Sequence, residues 1–138
     1  VLLTNDGRVS EALLDPARKA EKEYEVELDV SPTKADVEAL AAGVKITTTQ
    51  QRSNATVTAC TLPCRVQKIS KTRLAFILQE GRNRQIRKMC ASKGFEVERL
   101  HRTRIDKIRL GLLAPGALQR LEENELAALQ ARCSALKS

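Results

Sequence analysis

The sequence lacks tryptophan and has no long apolar run. No stretch approaches the roughly 18 consecutive apolar residues that a membrane-spanning helix needs, and the first residues lack the charged, apolar and small-residue order of a secretory signal. We therefore expect a soluble protein without a membrane partner. The chain begins at Val1 rather than at methionine, so we expect it to continue on the N-terminal side. The expected location is the cytoplasm, or an organellar matrix if a targeting segment precedes Val1.

Metal-ligand spacing is also missing from the chain. The four cysteines are Cys60, Cys64, Cys90 and Cys133, and the only histidine is His101. The first two cysteines lie too far apart for a Cys-x-x-Cys pair, and no second pair follows at the spacing of a zinc site. The pattern predicts reduced cysteines and no bound metal.

Positive charge exceeds negative charge. Lysine and arginine number 24 against 17 acidic residues, which gives a formal net charge of +7 at pH 7. Such an excess favours a polyanionic partner, but charge alone does not separate RNA, DNA and the absence of a nucleic-acid partner. The 138 residues are enough for one domain with its own core, so no disulfide or metal is needed to hold the fold.

The hydrophobic pattern predicts an α+β fold in which strands outnumber helices. Strict alternation over residues 22–30 places Tyr24, Val26, Leu28 and Val30 on one face of a half-buried strand. Further β-type runs cover residues 1–4, 44–46, 55–60, 64–69, 73–79, 96–110 and 117–121. Helices are expected at residues 10–14, 31–43, 84–93 and 122–136. Short turns join the strands, so we expect a mostly antiparallel, mixed sheet flanked by helices.

Several local details follow from turn and packing chemistry. The Asp6-Gly7 step predicts a tight turn with positive φ, and the polar run 47–53 predicts a loop. Phe76 and Phe95 have apolar neighbours and are expected in the core. The last helix is amphipathic and is expected to bury the positions Leu126, Leu129 and Cys133.

The densest cluster of charge lies in residues 80–88, Glu-Gly-Arg-Asn-Arg-Gln-Ile-Arg-Lys. Gly81 permits close backbone approach, and the N-terminus of the helix that follows attracts an anion. Arg84, Arg87 and Lys88 stand at i, i+3 and i+4, so the three cations share one face and repel each other without a nearby anion. The alternative is a solvated face that neighbouring glutamates balance.

Four segments, in order along the chain, carry the motifs of one enzyme family. They are residues 2–7, Leu-Leu-Thr-Asn-Asp-Gly; residues 21–24, Glu-Lys-Glu-Tyr; residues 81–87, Gly-Arg-Asn-Arg-Gln-Ile-Arg; and one closing region that comprises residues 100–105, 113–116 and 121–125. They resemble RNA pseudouridine synthases of the ribosomal small-subunit/large-subunit type, the RsuA-like family. The resemblance implies that residues 1–138 form the C-terminal portion of a pseudouridine synthase-like catalytic domain. Asp106 departs from the pattern, because the family frequently has glycine there.

The resemblance implies isomerisation of uridine to pseudouridine in ribosomal RNA, without a cofactor or a metal. The family's nucleophile is an aspartate in a Gly-Arg-Leu-Asp loop, which we expect upstream of Val1. Arg87 resembles the arginine that pairs with this nucleophile, and Tyr24 resembles the tyrosine that stacks on the flipped uridine. A guanidinium holds a carboxylate ionised through a bidentate pair. An aromatic face replaces the stacking that a flipped base loses.

Further polar side chains are expected to position the RNA backbone. The predicted RNA-binding set is Arg18, Lys19, Lys22, Arg82, Asn83, Arg84, Lys88, Arg102 and Arg104. The expected partner is ribosomal RNA, in the ribosome or its precursor. The alternative is a catalytically inactive RNA-binding or ribosome-associated module of the same fold, and the residues upstream of Val1 would decide between the two. A DNA-binding transcription factor would need a recognition helix, which fits a strand-rich chain less well.

Overall fold

The computed structural model describes residues 1–15, 18, 20–50, 53–82 and 84–135. In chain order, the elements are α1 (Gly7–Leu14), β1 (Lys22–Leu28), α2 (Lys34–Ala42), β2 (Lys45–Thr49), β3 (Thr56–Cys60), β4 (Arg65–Lys68), β5 (Arg73–Leu78), α3 (Gln85–Ser92), β6 (Val97–Ile105), β7 (Ile108–Arg109) and α4 (Glu123–Ala135). None of the helices in these ranges is long and apolar enough to cross a membrane.

The strands form a five-stranded sheet in the order β4-β5-β1-β6-β7, and β2 pairs with β3 in a separate hairpin. Every pairing in the described ranges is antiparallel. The predicted α+β class, with a mostly antiparallel sheet and flanking helices, is therefore confirmed. Antiparallel strands tolerate one solvated face, and this sheet carries its core on one face only.

The main core lies on the face of β1 that the alternation predicted. Val26 and Leu28 are almost fully buried, and Tyr24 packs against the same cluster from a half-buried position. The strands β5 and β6 contribute to this face, and α3 covers it. The other buried members include Leu74, Phe76, Leu78, Ile86, Met89, Cys90, Phe95 and Val97. The predicted core positions of Phe76 and Phe95 are confirmed.

A second, smaller cluster lies where β6 and β7 meet the terminal helices. Leu13 of α1, Ala20 and Leu129 of α4 are buried there, and Ile105 and Ile108 pack against them. Cys133 of α4 is buried, as predicted, but Leu126 is 44% exposed. Leu126 was expected to be buried. The turn of α4 that carries Leu126 is more exposed than the later turns, which bury Leu129 and Cys133.

The ends of the helices follow capping chemistry. Thr33 and Asp36 form a capping box at the start of α2, and hydrogen bonds from Thr33 hold the pKa of Asp36 below its usual value. Gly43 ends this helix with φ of 110°, and a Cβ atom there would collide with the Thr61 carbonyl oxygen. The predicted turn at Asp6 is wrong, because Asp6 has φ of −104° and caps α1.

Some strand boundaries also differ from the expectations. Residues 1–4 and 117–121 were expected to be strands, but they form none. An apolar run becomes a strand only when a neighbouring strand offers hydrogen bonds, and no strand of the described ranges pairs with these residues. The run 96–110 divides into β6 and β7, because Asp106 turns the chain with φ of 52°. Residues 47–49 were expected in a loop but belong to β2.

Candidate active site and RNA-binding surface

The loop before α3 is fixed by one amide side chain. Gln85 is 4% exposed. Its Nε2 donates to Glu80 Oε1 at 2.8 Å, and its Oε1 accepts from the backbone N–H of Arg82 at 3.1 Å. Glu80 Oε1 also accepts from the backbone N–H of Leu62 at 3.0 Å. These bonds close the loop onto itself and tie it to the segment after β3, so the first turn of α3 has a defined position.

Arg82 completes this loop network. Its Nε lies 3.3 Å from Glu80 Oε2, and its side chain is 25% exposed. Its terminal nitrogens donate to the carbonyl oxygens of Ala59 at 3.3 Å and Cys60 at 2.9 Å. The guanidinium therefore joins the loop to the end of β3. This placement argues against the predicted RNA contact of Arg82, because a carboxylate already neutralises its charge and two of its five N–H donors are bonded to carbonyl oxygens.

The basic face of α3 forms no ion pair with any residue that the structure describes. Arg84 caps the helix with φ of 52° and is exposed. Arg87 and Lys88 are half-buried, and Arg87 Nη1 donates to the Val97 carbonyl at 3.3 Å. Within the described ranges, none of the three forms an ion pair with a carboxylate. Glu80, the carboxylate of the preceding loop, pairs with Arg82 instead. The alternative of a face balanced by glutamates is therefore not supported, and the three cations remain available to an anion.

The two predicted catalytic residues lie on the same face of the sheet. Tyr24 shares this face with Val26 and Leu28, and α3 packs on it through the same core. Arg87 contacts Val97, which lies opposite Leu28. Leu28 is four positions from Tyr24 along β1, which corresponds to roughly 13 Å of strand. The fold thus brings both residues to one side of the sheet. Their predicted chemical roles stay predictions.

Lys22 was predicted to bind RNA, but its position is structural. Its side chain is on the inner face and 8% exposed, and its Nζ donates to the Leu13 carbonyl at 3.1 Å. Burial lowers the pKa of Lys22, and the positive charges of Arg102 and Arg132 lower it further. The ammonium joins β1 to the last turn of α1, where helix carbonyls lack partners. This argues against a phosphate contact.

Arg104 was predicted to bind RNA and is also engaged within the protein. Its side chain is 12% exposed and lies 3.5 Å from Glu21 and 3.9 Å from Glu23. Its Nη1 donates to the Asp106 carbonyl at 2.6 Å, while its buried Nε makes no hydrogen bond. An anion would have to displace two carboxylates to reach this guanidinium. The placement therefore argues against the predicted contact.

Four predicted RNA-binding residues remain, namely Arg18, Lys19, Asn83 and Arg102. Arg18 is half-buried and lies 3.7 Å from Asp15, so it is partly neutralised. Lys19 and Asn83 lie outside the described residues. Arg102 is half-buried, lies opposite Tyr24 and has no hydrogen bond or ion pair in the described ranges. Among the described members of the predicted set, the unpaired cations are Arg84, Lys88 and Arg102.

A cavity of about 470 Å³ opens beside Arg102 and runs along β7. Lys107, Arg109 and Arg120 line it together with several leucines, and Glu122 and Glu125 belong to its wall. Arg120 was not predicted as a site residue, because residues 117–121 were expected to form a strand. No local signal identifies Arg120, since its approach to β7 depends on the chain path after Leu113.

The described residues contain no group of three or more His, Cys, Asp or Glu side chains that could hold a metal ion. The four cysteines are free thiols. Burial raises the pKa of Cys64 to about 11 and that of Cys90 to about 12. Both are therefore protonated at neutral pH, which makes them poor nucleophiles. The chemistry that the described site offers comes from guanidinium groups and one phenol ring.

Comparison with known proteins agrees with the motifs and the fold. Residues 1–92 match the family model described as RNA pseudouridylate synthase, and the chain belongs to this family. It is similar to a solved structure titled as a pseudouridylate synthase, with a TM-score of 0.78 and 26% identity, over 91% of this chain and 52% of that one.

Three curated relatives illustrate the similarity. The dual-specificity RNA pseudouridine synthase RluF of Escherichia coli (strain K12) is 34% identical over 126 residues, which covers 91% of this chain and 40% of RluF. The ribosomal small subunit pseudouridine synthase A of Vibrio cholerae is 34% identical over 131 residues, covering 94% and 53%. The ribosomal large subunit pseudouridine synthase E of Vibrio parahaemolyticus is 36% identical over 130 residues, covering 88% and 55%. The chain thus spans about half the length of these relatives.

Proposed function

We propose that the protein containing this chain isomerises uridine to pseudouridine in ribosomal RNA, as a free RNA or within the ribosome or its precursor. The proposal places it in the cytoplasm, or in an organellar matrix if a targeting segment precedes Val1. One observation carries the proposal: within a chain of the pseudouridylate synthase family, Tyr24 and the α3 helix that bears Arg87 share one face of the sheet. The names of the relatives, which specify both ribosomal subunits, support the substrate class.

Arg87 is proposed to hold the nucleophilic aspartate, which the proposal places in residues before Val1. Arg87 uses one donor in a 3.3 Å bond to Val97. A guanidinium has five N–H donors, and the others have no partner among the residues that the structure describes. A bidentate pair with a carboxylate is therefore open to it. Such a pair would keep the carboxylate ionised and aimed at the ribose-linked base.

Tyr24 is proposed to receive the flipped uridine. Its ring is half-buried on the inner face and packs against the core cluster, so the ring direction is fixed while part of it stays accessible. Stacking of a base on an aromatic side chain is worth about 1–3 kcal/mol, which offsets part of the cost of leaving the RNA stack. The unpaired cations Arg84, Lys88 and Arg102 then contact phosphates and set the register of the strand.

The proposal is tested with the complete protein and an RNA hairpin that contains the target uridine. Arg87→Ala is expected to slow conversion by at least about 100-fold, because an unpaired carboxylate costs roughly 3 kcal/mol or more, while RNA affinity changes by less than about threefold. The matched control is Arg99→Ala, an exposed arginine of β6 that should convert normally. Near-normal conversion by Arg87→Ala would exclude the assigned role. RNA binding by the wild-type protein without any conversion would instead favour a non-catalytic module.

A further inference from the structure

The β1–β6 pair changes register beside Tyr24. Lys22 lies opposite Ile105 and Glu23 opposite Arg104, but the next pair joins Tyr24 to Arg102. Thr103 is therefore an extra residue on β6, which defines a β-bulge. Side chains alternate between faces with a period of two, so one extra residue reverses the faces of the side chains beyond it.

The bulge separates two neighbouring arginines. In a regular strand, residues 102 and 104 would lie on the same face. Here Arg104 lies on the outer face, where it approaches Glu21 and Glu23 at 3.5 and 3.9 Å. Arg102 lies on the inner face with Tyr24, and Leu100, opposite Val26, follows it into the core. One arginine is thus ion-paired outside, and the other faces the proposed base-binding side.

Hydrogen bonds hold the bulge in place. The Thr103 hydroxyl donates to the Glu23 carbonyl at 3.3 Å and approaches Glu23 Oε2 at 3.4 Å. The Thr103 carbonyl accepts from the backbone N–H of Leu110 at 2.9 Å. The extra residue is therefore bonded to both neighbouring segments, and the direction of Arg102 is built into the backbone rather than left to side-chain rotation.

Arg102 has no partner among the described residues, although Glu122 and Glu125 belong to the wall of the cavity that it lines. Its charge contributes to the lowered pKa of Lys22, whose ammonium is already bonded to Leu13. It lines the cavity of about 470 Å³ with Lys107 and Arg120. In the described ranges, no carboxylate pairs with Arg102. A half-buried guanidinium without a counter-charge loses hydration without compensation, so an anionic ligand would stabilise this site.

We propose that the bulge at Thr103 directs Arg102 onto a phosphodiester group of the RNA immediately beside the nucleotide that stacks on Tyr24. The inference rests on the proposed function and names one contact within it. Directly opposed residues of an antiparallel pair have Cβ atoms about 5 Å apart, so the Arg102 guanidinium reaches the backbone next to a base on the Tyr24 ring. A planar guanidinium fits two phosphate oxygens at once.

The test compares two arginines of β6 in the complete protein. Arg102→Gln and Arg99→Gln remove the same charge from the same strand, but Arg99 lies on the outer face opposite Glu27. Arg102→Gln is expected to raise KM and Kd for the RNA hairpin about tenfold, with kcat within about threefold. The slope of the logarithm of the binding constant against the logarithm of the salt concentration should become shallower by about 0.7–0.9, the contribution of one phosphate contact. Arg99→Gln should change each constant by less than about threefold. Arg102→Lys should keep the wild-type salt slope, because it keeps the charge.

A neutral methylphosphonate at one phosphate flanking the target uridine locates the contact. At one of the two flanking positions, the methylphosphonate is expected to weaken RNA binding by the wild-type protein about tenfold. The same substitution should leave RNA binding by Arg102→Gln unchanged. If the methylphosphonate weakened RNA binding equally in both proteins, the proposed contact between Arg102 and that phosphate would be excluded. A fall in kcat without a change in KM would also overturn it, since Arg102 would then act on the reacting groups. Absence of conversion by the wild-type protein would reject the proposed function instead.

Discussion

The two faces of the β1–β6 strand pair differ in how their charges are balanced. On the outer face, the glutamates of β1 and of the residue before it form ion pairs with arginines of other strands of the sheet. Glu21 lies 2.8 Å from Arg65 of β4, Glu27 lies 2.6 Å from Arg73 of β5, and Glu23 lies 3.4 Å from Arg109 of β7. On the inner face, Arg102 of β6 and Arg87 of α3 have no carboxylate partner among the described residues.

This difference in ion pairing indicates which face can bind an anion. A paired guanidinium must release its carboxylate before it accepts a phosphate, whereas an unpaired one gains a charge-assisted bond directly. The ion pairs of the outer face therefore contribute to the fold, while the unpaired guanidinium groups of the inner face are available to an anion. The count of basic residues does not reveal this difference, because both faces carry arginine.

The largest expected effect comes from removing the ring on the inner face. Tyr24→Ala should slow conversion by about 100-fold or more, since stacking worth about 1–3 kcal/mol and the alignment of the base are lost together. Single-turnover conversion of an RNA hairpin measures it. Glu25→Ala, which changes the next residue on the outer face, should stay within about twofold. If Glu25→Ala were equally slow, the two faces would not differ in function.

The next effect concerns the loop that positions α3. Gln85→Ala removes the amide that joins Glu80 to the Arg82 backbone and should lower the free energy of unfolding by about 1–3 kcal/mol, because buried polar groups lose partners. Urea denaturation measures this change. The control is Gln79→Ala, an exposed residue just before the loop, with an expected change below about 0.5 kcal/mol. Equal values for both variants would show that the hydrogen bonds of Gln85 do not stabilise the fold.

A smaller effect is expected from one unpaired cation of α3. Lys88→Ala should weaken RNA binding a few-fold and reduce the salt slope by about 0.7–0.9, the contribution of one phosphate. Fluorescence anisotropy over a salt series provides the measurement. Lys71→Ala alters an exposed lysine in the turn before β5 and should leave the slope unchanged. An unchanged slope for Lys88→Ala would remove this residue from the phosphate contacts.

The smallest effect is on the outer face. Hydrogen bonds from Thr72 and Arg73 hold the pKa of Glu27 below its usual value. A carboxylate with a lowered folded-state pKa stabilises the fold above its unfolded pKa, and this contribution is lost as the pH falls through the folded value. Arg73→Gln should raise the pKa of Glu27 part of the way to normal, since Thr72 remains. An NMR titration of the carboxyl carbon measures the shift, and conversion should not change.

The local elements of the fold could be predicted from the sequence, because their causes are local. The alternation around Tyr24 and the helix expected within residues 31–43 each depend on neighbours within a few residues, and the structure confirms them. The family motifs were equally readable from short segments. Membership in the RNA pseudouridylate synthase family then followed from the sequence.

The pairing of charges could not be predicted in this way. Lys22 and Arg104 resemble other surface cations in sequence, but Lys22 bonds to α1 and Arg104 to glutamates of a different segment. These partners meet only after the sheet has formed. The bulge at Thr103 depends on the register of two strands that are some 80 residues apart. No pattern within β6 alone reveals it.

Asp106 illustrates how a substitution can change the way a helix is attached. The residue adopts φ of 52°, a conformation that glycine reaches without strain. Its carboxylate accepts two bonds of 2.8 Å from Arg132 of α4. Glycine at this position would relieve the backbone but would remove this ion pair between α4 and the turn that follows β6. A strained turn and an added attachment of the last helix are therefore two consequences of the same residue.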